Sequence, residues 1–363
     1  MPPSARPTRR FRIAAAAAAG ILAVLAGIVL APRPPQLSAP TAGDPALVAD
    51  VADALRGASG AFDRVSVAVI DGDGVRRAHF GAHDGTVYEI GSVTKTMTAS
   101  LLQIAVERGE VTLDTRLGDL LDLGDSPSGE VTLEQLATHR SGLPRLSPNP
   151  ARIASRLLAV MTAGDPYGST VDELVSDARA AAPGDPAFAY SNFGFALLGQ
   201  ALAAAAGTTW PELVRERLHE PLTMSGTSAA DTPEGLPADA PTGYTDGGRP
   251  SAAWTLGADA PAGNVRSTLD DMVVYLSAQL DGSAPGSGAT EPRVGTDGND
   301  GERIGLAWFT TADGVTWHNG ATGGFSSFAA FDRERGRGVV VLSSTANPDA
   351  VDALGMSLIG GRA

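Results

Sequence analysis

The 363-residue chain has no cysteine, which removes disulfides, thiolate nucleophiles and thiolate metal sites together. Positive charge is scarce as well. Lys and Arg number 27 against 41 Asp and Glu, and the net charge is −14. The basic footprint of a nucleic-acid partner is therefore missing. Lysine is scarcer still, since Lys95 is the only one and every other basic residue is an arginine. A guanidinium keeps its proton in a protein, whereas a buried ammonium can lose it and then serve as a base. Long apolar runs are also lacking, apart from one at the N-terminus.

That run is IAAAAAAGILAVLAGIVLA, residues 13 to 31, preceded by MPPSARPTRRFR with its four arginines. Nineteen uncharged residues suffice to span a bilayer, and the leading arginines stay on the cytoplasmic side. Residues 1 to 31 are thus expected to be a basic tail with a membrane anchor or signal peptide. Val24-Leu25-Ala26 offers a cleavage site. The remainder is expected to be extracytoplasmic, either membrane-anchored or secreted.

Residues 32 to 44, rich in proline, read as an extended linker, and 45 to 363 as one domain. An amphipathic helix is expected over 45 to 55. Runs at 65 to 70 and 75 to 80 flank an Asp-Gly-Asp-Gly turn and predict a hairpin. Helical patterns occupy about 92 to 280. Strands are expected at 304 to 310, 315 to 320, 326 to 332 and 339 to 344, before a last helix. Residues 281 to 302 show no apolar periodicity and read as a mobile loop. The fold expected is α/β, more narrowly α+β. One antiparallel sheet is built from both ends of the chain, flanked by the N- and C-terminal helices, with an inserted helical lobe.

Three clusters carry chemistry. In GSVTKTMTAS, Ser92 opens a helix and Lys95 lies three residues on, so hydroxyl and amine share a face. That pairs a nucleophile with a base, and the free N–H of a helix start can stabilise an oxyanion. In AYSNFG, Tyr190 sits where a loop meets a helix and can relay a proton. Asn192 offers an amide to substrate and to the lysine. In TWHNGATGG, His318 and Gly320 end a strand, and the Ala321 N–H is a candidate second oxyanion donor. His139, in LATHRSGLP, reads as a residue that orders a loop. Tyr244, Trp254 and Trp308 are candidates for either cleft wall or core.

The ordered set Ser-x-x-Lys, Tyr-x-Asn, His-x-Gly resembles the serine β-lactamases and penicillin-binding DD-peptidases. The match is nearest the class C-like branch of D-Ala-D-Ala carboxypeptidases and esterases. Further stretches that carry it are PLTMSGT and PAGNVRSTLDDM. The resemblance spans about 45 to 355 and implies a β-lactamase/transpeptidase-like fold with its site between sheet and lobe. It implies Ser92 as the acylated nucleophile, Lys95 and Tyr190 as the proton carriers in an order left open, and Asn192, His318, Gly320 and Ala321 as substrate-binding. No metal or cofactor is implied. A small-molecule or peptide substrate is: a cell-wall peptide, an ester or a lactam. His318 replaces the lysine of β-lactamases in this branch, Asn264 replaces a glycine, and no cation lies between Ile304 and Gly324 to hold a substrate carboxylate. These departures favour a peptidase or esterase over a dedicated β-lactamase. A non-catalytic cell-wall or lactam sensor is the alternative.

Overall fold

The computed structural model describes Gly20 and residues 35–37, 41–237, 240–298 and 301–361. The expected anchor or signal at 13 to 31 lies, but for Gly20, outside them. Among the described residues no helix is long and apolar enough to cross a membrane.

Nine strands form the main sheet: β1 Thr41–Gly43, β2 Val65–Asp71, β3 Gly74–Phe80, β4 Val294–Gly295, β5 Arg303–Ile304, β6 Phe309–Thr310, β7 Thr316–Ala321, β8 Ser326–Asp332 and β9 Arg337–Ser343. They run antiparallel in the order β1-β3-β2-β9-β8-β7-β6-β5-β4. The helices of ten residues or more are α1 Pro45–Gly57, α2 Thr94–Glu107, α3 Pro150–Thr162, α4 Val171–Ala180, α5 Asn192–Ala206, α6 Leu269–Asp281 and α7 Pro348–Ile359.

The two-residue period of a strand, with cover on both sides, explains why the central strands β2, β8 and β9 are buried along nearly their whole length. Val65, Val67 and Val69 of β2 point to a core shared with Leu47, Val51 and Leu55 of α1 and Val351, Leu354 and Leu358 of α7. Ala68 and Ile70 point the other way, into the core that includes α2, α5 and α6. Both faces are covered, as a buried sheet requires. The chain ends thus form one outer layer, and the helical region packs on the opposite face.

Three expectations are corrected in detail. The linker ends sooner than Asp44, because Thr41–Gly43 pairs with Ala78–Phe80 as the outermost strand. The run 304 to 310 is not one strand but a tight reversal between β5 and β6. Gly305 N–H bonds to the Trp308 carbonyl at 2.8 Å and Ala307 takes a left-handed φ of 65°. The stretch 281 to 302 is not simply a loop. Ala284 and Ala289 are buried, and Val294–Gly295 pairs with β5 to close the sheet's other edge. Two-residue strands leave no periodicity to read. The lobe itself is interrupted by short ladders joining Tyr88–Glu89 to Arg266–Ser267 and Gly243–Tyr244 to Pro250–Ser251.

Candidate active site

Ser92 lies in a 3-10 turn, Gly91–Val93, and α2 begins two residues later at Thr94. The turn's own bonds run from Val93 N–H to the Ile90 carbonyl and from Thr94 N–H to the Gly91 and Ser92 carbonyls. The Ser92 N–H is left without a backbone partner among the described residues. Gly91 adopts a φ of +48°, and a Cβ there would strike the backbone of Ala321. Glycine is needed for both reasons.

Lys95, the second residue of α2, is fully buried one turn beyond Ser92. Its Nζ donates to Ser92 Oγ at 3.0 Å and to the Ala262 carbonyl at 2.6 Å. Thr98 Oγ1 donates to the Pro261 carbonyl at 2.8 Å, so the same helix face is fixed twice to the 260–262 turn. Burial drives the Lys95 pKa well down, and the nearby Arg145 charge pushes the same way. The lone lysine thus lies beside a serine hydroxyl and holds its proton less tightly than a free lysine does.

Tyr190 approaches from the segment before α5. Lys95 Nζ sits 5.0 Å from its ring centroid, and the Arg145 guanidinium 5.1 Å from it. Burial raises the phenol's pKa, against the pull of the Ser92 side chain and Arg145. His139 holds this segment, as expected of it. Its Nδ1 accepts the Ser191 N–H at 3.1 Å, its carbonyl accepts the Ala189 N–H at 2.8 Å, and its ring lies 4.3 Å from that of Tyr190. Burial, with Lys95, His318 and Arg145 nearby, holds the His139 pKa well below the usual imidazole range.

Asn192 faces the same cleft but does not hold the lysine. Its Nδ2 donates to the Tyr167 hydroxyl at 3.1 Å, and its Oδ1 is buried without a partner among the described residues. His318 also departs from expectation. On β7 the side chains alternate, and His318 turns inward, fully buried, with its ring 6.4 Å from Tyr190. Burial pulls its pKa down to about 3, with Lys95 adding to the shift. A neutral, enclosed imidazole cannot grip a substrate carboxylate. Asn319 and Trp317, on the other face of the strand, reach the cleft instead. Asn264, placed where a glycine was expected, ties its Nδ2 to the Ala230 carbonyl at 3.1 Å.

Gly320 is set against the serine turn. A Cβ there would collide with the Ile90 carbonyl and come within 2.9 Å of the Ser92 nitrogen. Gly320→Ala is expected to push the turn and β7 apart and to slow any reaction at Ser92 at least ~10-fold, with a stability loss of about 1–3 kcal/mol from overpacking. Rates and urea midpoints of the variant check this. Unchanged values would mean that the two segments separate at no cost. Gly320 faces Ser327 across the ladder and Ala321 faces Ser326, while the Thr322 N–H bonds to the Phe325 carbonyl. Antiparallel partners alternate between bonded and non-bonded pairs, so the Ala321 N–H points away from β8, toward the serine. The amides of Ser92 and Ala321, both without a backbone partner among the described residues, thus lie on adjoining segments.

The cleft over Ser92 has a volume of about 520 Å³ and is walled by Tyr167, Trp254, Phe309 and Trp317. Of the three aromatics left open, Trp254 belongs to this wall. Trp308 is core, stacked on Tyr275, and Tyr244 lines a separate groove beside Arg64 and Gly81. The sequence reading missed Tyr167 and Arg145. Arg145 is exposed at the cleft, with no ion-pair partner among the described residues. Its carbonyl accepts the Asn192 and Phe193 N–H groups at 2.9 and 3.2 Å. The signal was its place directly after the LATHRSGLP stretch, two residues beyond the Leu143 that buries there.

Comparison with known proteins places this geometry among relatives. The β-lactamase family model matches residues 48–359. The D-alanyl-D-alanine-carboxypeptidase/endopeptidase AmpH of Escherichia coli K12 is 36% identical over 154 residues, 41% of this chain and 38% of that one. A β-lactamase of the same organism is 27% identical over 312 residues, covering 74% of this chain and 78% of its own. The chain's matches thus span only about two fifths of the first curated relatives. A class C β-lactamase structure from Rhodobacter sphaeroides superposes with a TM-score of 0.69 at 22% identity, over 83% of this chain and 94% of that one.

Proposed function

The chain belongs to the β-lactamase family, and we propose that within it this protein is an extracytoplasmic serine hydrolase that works through an acyl-enzyme on Ser92. The observation that carries the reading is the 3.0 Å contact between a buried Lys95, its pKa lowered by that burial, and the Ser92 hydroxyl. In the neutral amine one hydrogen points to the Ala262 carbonyl and the lone pair can face Ser92 Oγ. Ser92 then gives its proton to Lys95 as Oγ attacks the substrate carbonyl. The oxyanion so formed lies between the Ser92 and Ala321 amides. Tyr190, its pKa raised by burial, stays protonated and serves better as a donor to the leaving group than as the base. Water then attacks the acyl carbonyl and gives a proton to the Tyr190 oxygen, restoring the phenol, and the serine oxygen leaves with the proton held by Lys95.

Arg145 supports a substrate with a free carboxylate, which brings the peptidase-like class forward: a peptide ending in D-alanine, or a lactam that mimics it. The four aromatic walls favour a second class, aryl or alkyl esters. Intact mass after incubation with benzylpenicillin, with drug loss followed in parallel, tests the assignment. A lasting adduct on Ser92 is the expected result. Rapid drug loss without an adduct would make the protein a β-lactamase. Neither adduct, drug loss nor ester turnover would leave the non-catalytic sensor.

A further inference from the structure

Helix α3 is inside out. Arg152 pairs inward with Glu173 at 2.9 Å and Asp177 at 3.4 Å on α4, and Arg156 donates to the Ser147 carbonyl at 3.0 Å while lying over the Tyr167 ring. The opposite face carries Ile153, Leu157, Leu158, Val160 and Met161, all 55–67% exposed. No residue of this helix is buried. Five of the seven large apolar residues exposed among the described residues therefore lie on one helix. An amphipathic helix ordinarily buries its apolar stripe and shows its charges to water. Here the charges are spent on the protein, and a contiguous apolar strip is left for something else to cover.

The chain itself points to the occupant. The apolar run at 13 to 31 is followed by only five residues before Leu37, which already packs against the core shared by α1 and α7, a reach of roughly 20 Å at full extension. Thr41 enters the sheet beside Phe80. Gly81, the next residue, shares a groove with Tyr244, and the neighbouring 245–249 turn reaches α3, where Arg249 Nη1 donates to the Met161 carbonyl at 3.0 Å. The strand end that receives the N-terminal segment and the exposed helix are thus on one side of the domain. The Asp71–Gly74 turn is at the far end of β2 and β3, about 20 Å away along the strands.

We propose that α3 is an interfacial helix, its apolar face seated in the surface of the bilayer that holds residues 13 to 31. At thirteen residues it is too short to span, and its exposed apolar face opposite an arginine face suits a position in the headgroup plane. Since Arg156 of α3 stacks on Tyr167 of the cleft wall, this docking orients the cleft mouth relative to the membrane.

The absence of cysteine makes the test clean, because any introduced thiol is unique. The full-length chain is reconstituted at one copy per nanodisc, with a single fluorophore at Leu157→Cys or, as reference, at Asp73→Cys. Lipids with brominated acyl chains are expected to quench the label at 157 about twofold or more and to leave that at 73 unchanged. A repeat at Ile153→Cys guards against a local disturbance at 157. Equal quenching at all three positions would overturn the proposal. So would quantitative disulfide formation between Leu157→Cys copies in liposomes, which would make the strip a surface for a second copy.

Discussion

Lys95→Arg is expected to abolish acylation of Ser92, lowering the rate of labelling by benzylpenicillin at least ~10²–10⁴-fold, the usual contribution of a positioned base. The two side chains carry the same charge in water, so a role in binding an anion would survive the exchange. A role in taking a proton cannot, because guanidinium does not deprotonate in a protein. The site is fully buried, and among the described residues Nζ bonds to Ser92 Oγ and the Ala262 carbonyl alone. A permanent cation there is poorly solvated, and some stability is lost with it. Lys95→Met separates the two effects. It adds no charge, fills similar volume and keeps the helix packed, so it should fold well and still fail to acylate. Labelling of either variant at the parental rate would remove Lys95 from the chemistry.

Much of this was legible because strands and helix starts announce themselves locally. Val65 to Ile70, broken only by Ser66, and Val339 to Leu342 are apolar on both faces, which is what a sheet covered on both sides demands. Ser92 and Lys95 meet because three residues is nearly one helical turn. What escaped was set by contacts between distant loops. Tyr167 reaches Asn192 from a different loop, and no spacing rule predicts that pairing. The inward turn of His318 follows from the phase of β7, which depends on which face of the strand meets the serine turn. The pairing of 303–304 with 309–310 turns on the reversal at Ala307, a residue type that does not advertise a left-handed φ.

The cation judged missing from residues 304 to 324 is likewise supplied from elsewhere in the chain. Arg145 comes from the loop after LATHRSGLP, and its carbonyl fixes the start of α5 while its guanidinium lies over Tyr190. One residue thus sits where it can meet a substrate carboxylate and also act on the lysine through space. This dual position matters because burial and Arg145 lower the Lys95 pKa together.

The acid limb of kcat/KM should report that lowered Lys95 pKa. Only the neutral amine can take the serine proton, so activity is present above the limb and falls tenfold per pH unit below it. Arg145→Gln removes a positive charge that opposes protonation of Lys95. The amine's pKa should then rise, moving the limb to higher pH, and the rate at a fixed pH on the acid side should drop in proportion. The charge also leaves the cleft. For a substrate with a free carboxylate, KM should rise about tenfold or more, as expected for loss of a charge-assisted contact. For a matched ester without the carboxylate, KM should hold while the limb still moves. Measuring both substrates across pH therefore separates the two effects of Arg145. A limb that stays in place would show that its charge is screened from Lys95 by solvent at the cleft mouth. An unchanged KM for the carboxylate substrate would take the anion-binding role from Arg145 and shift the preferred substrate toward simple esters.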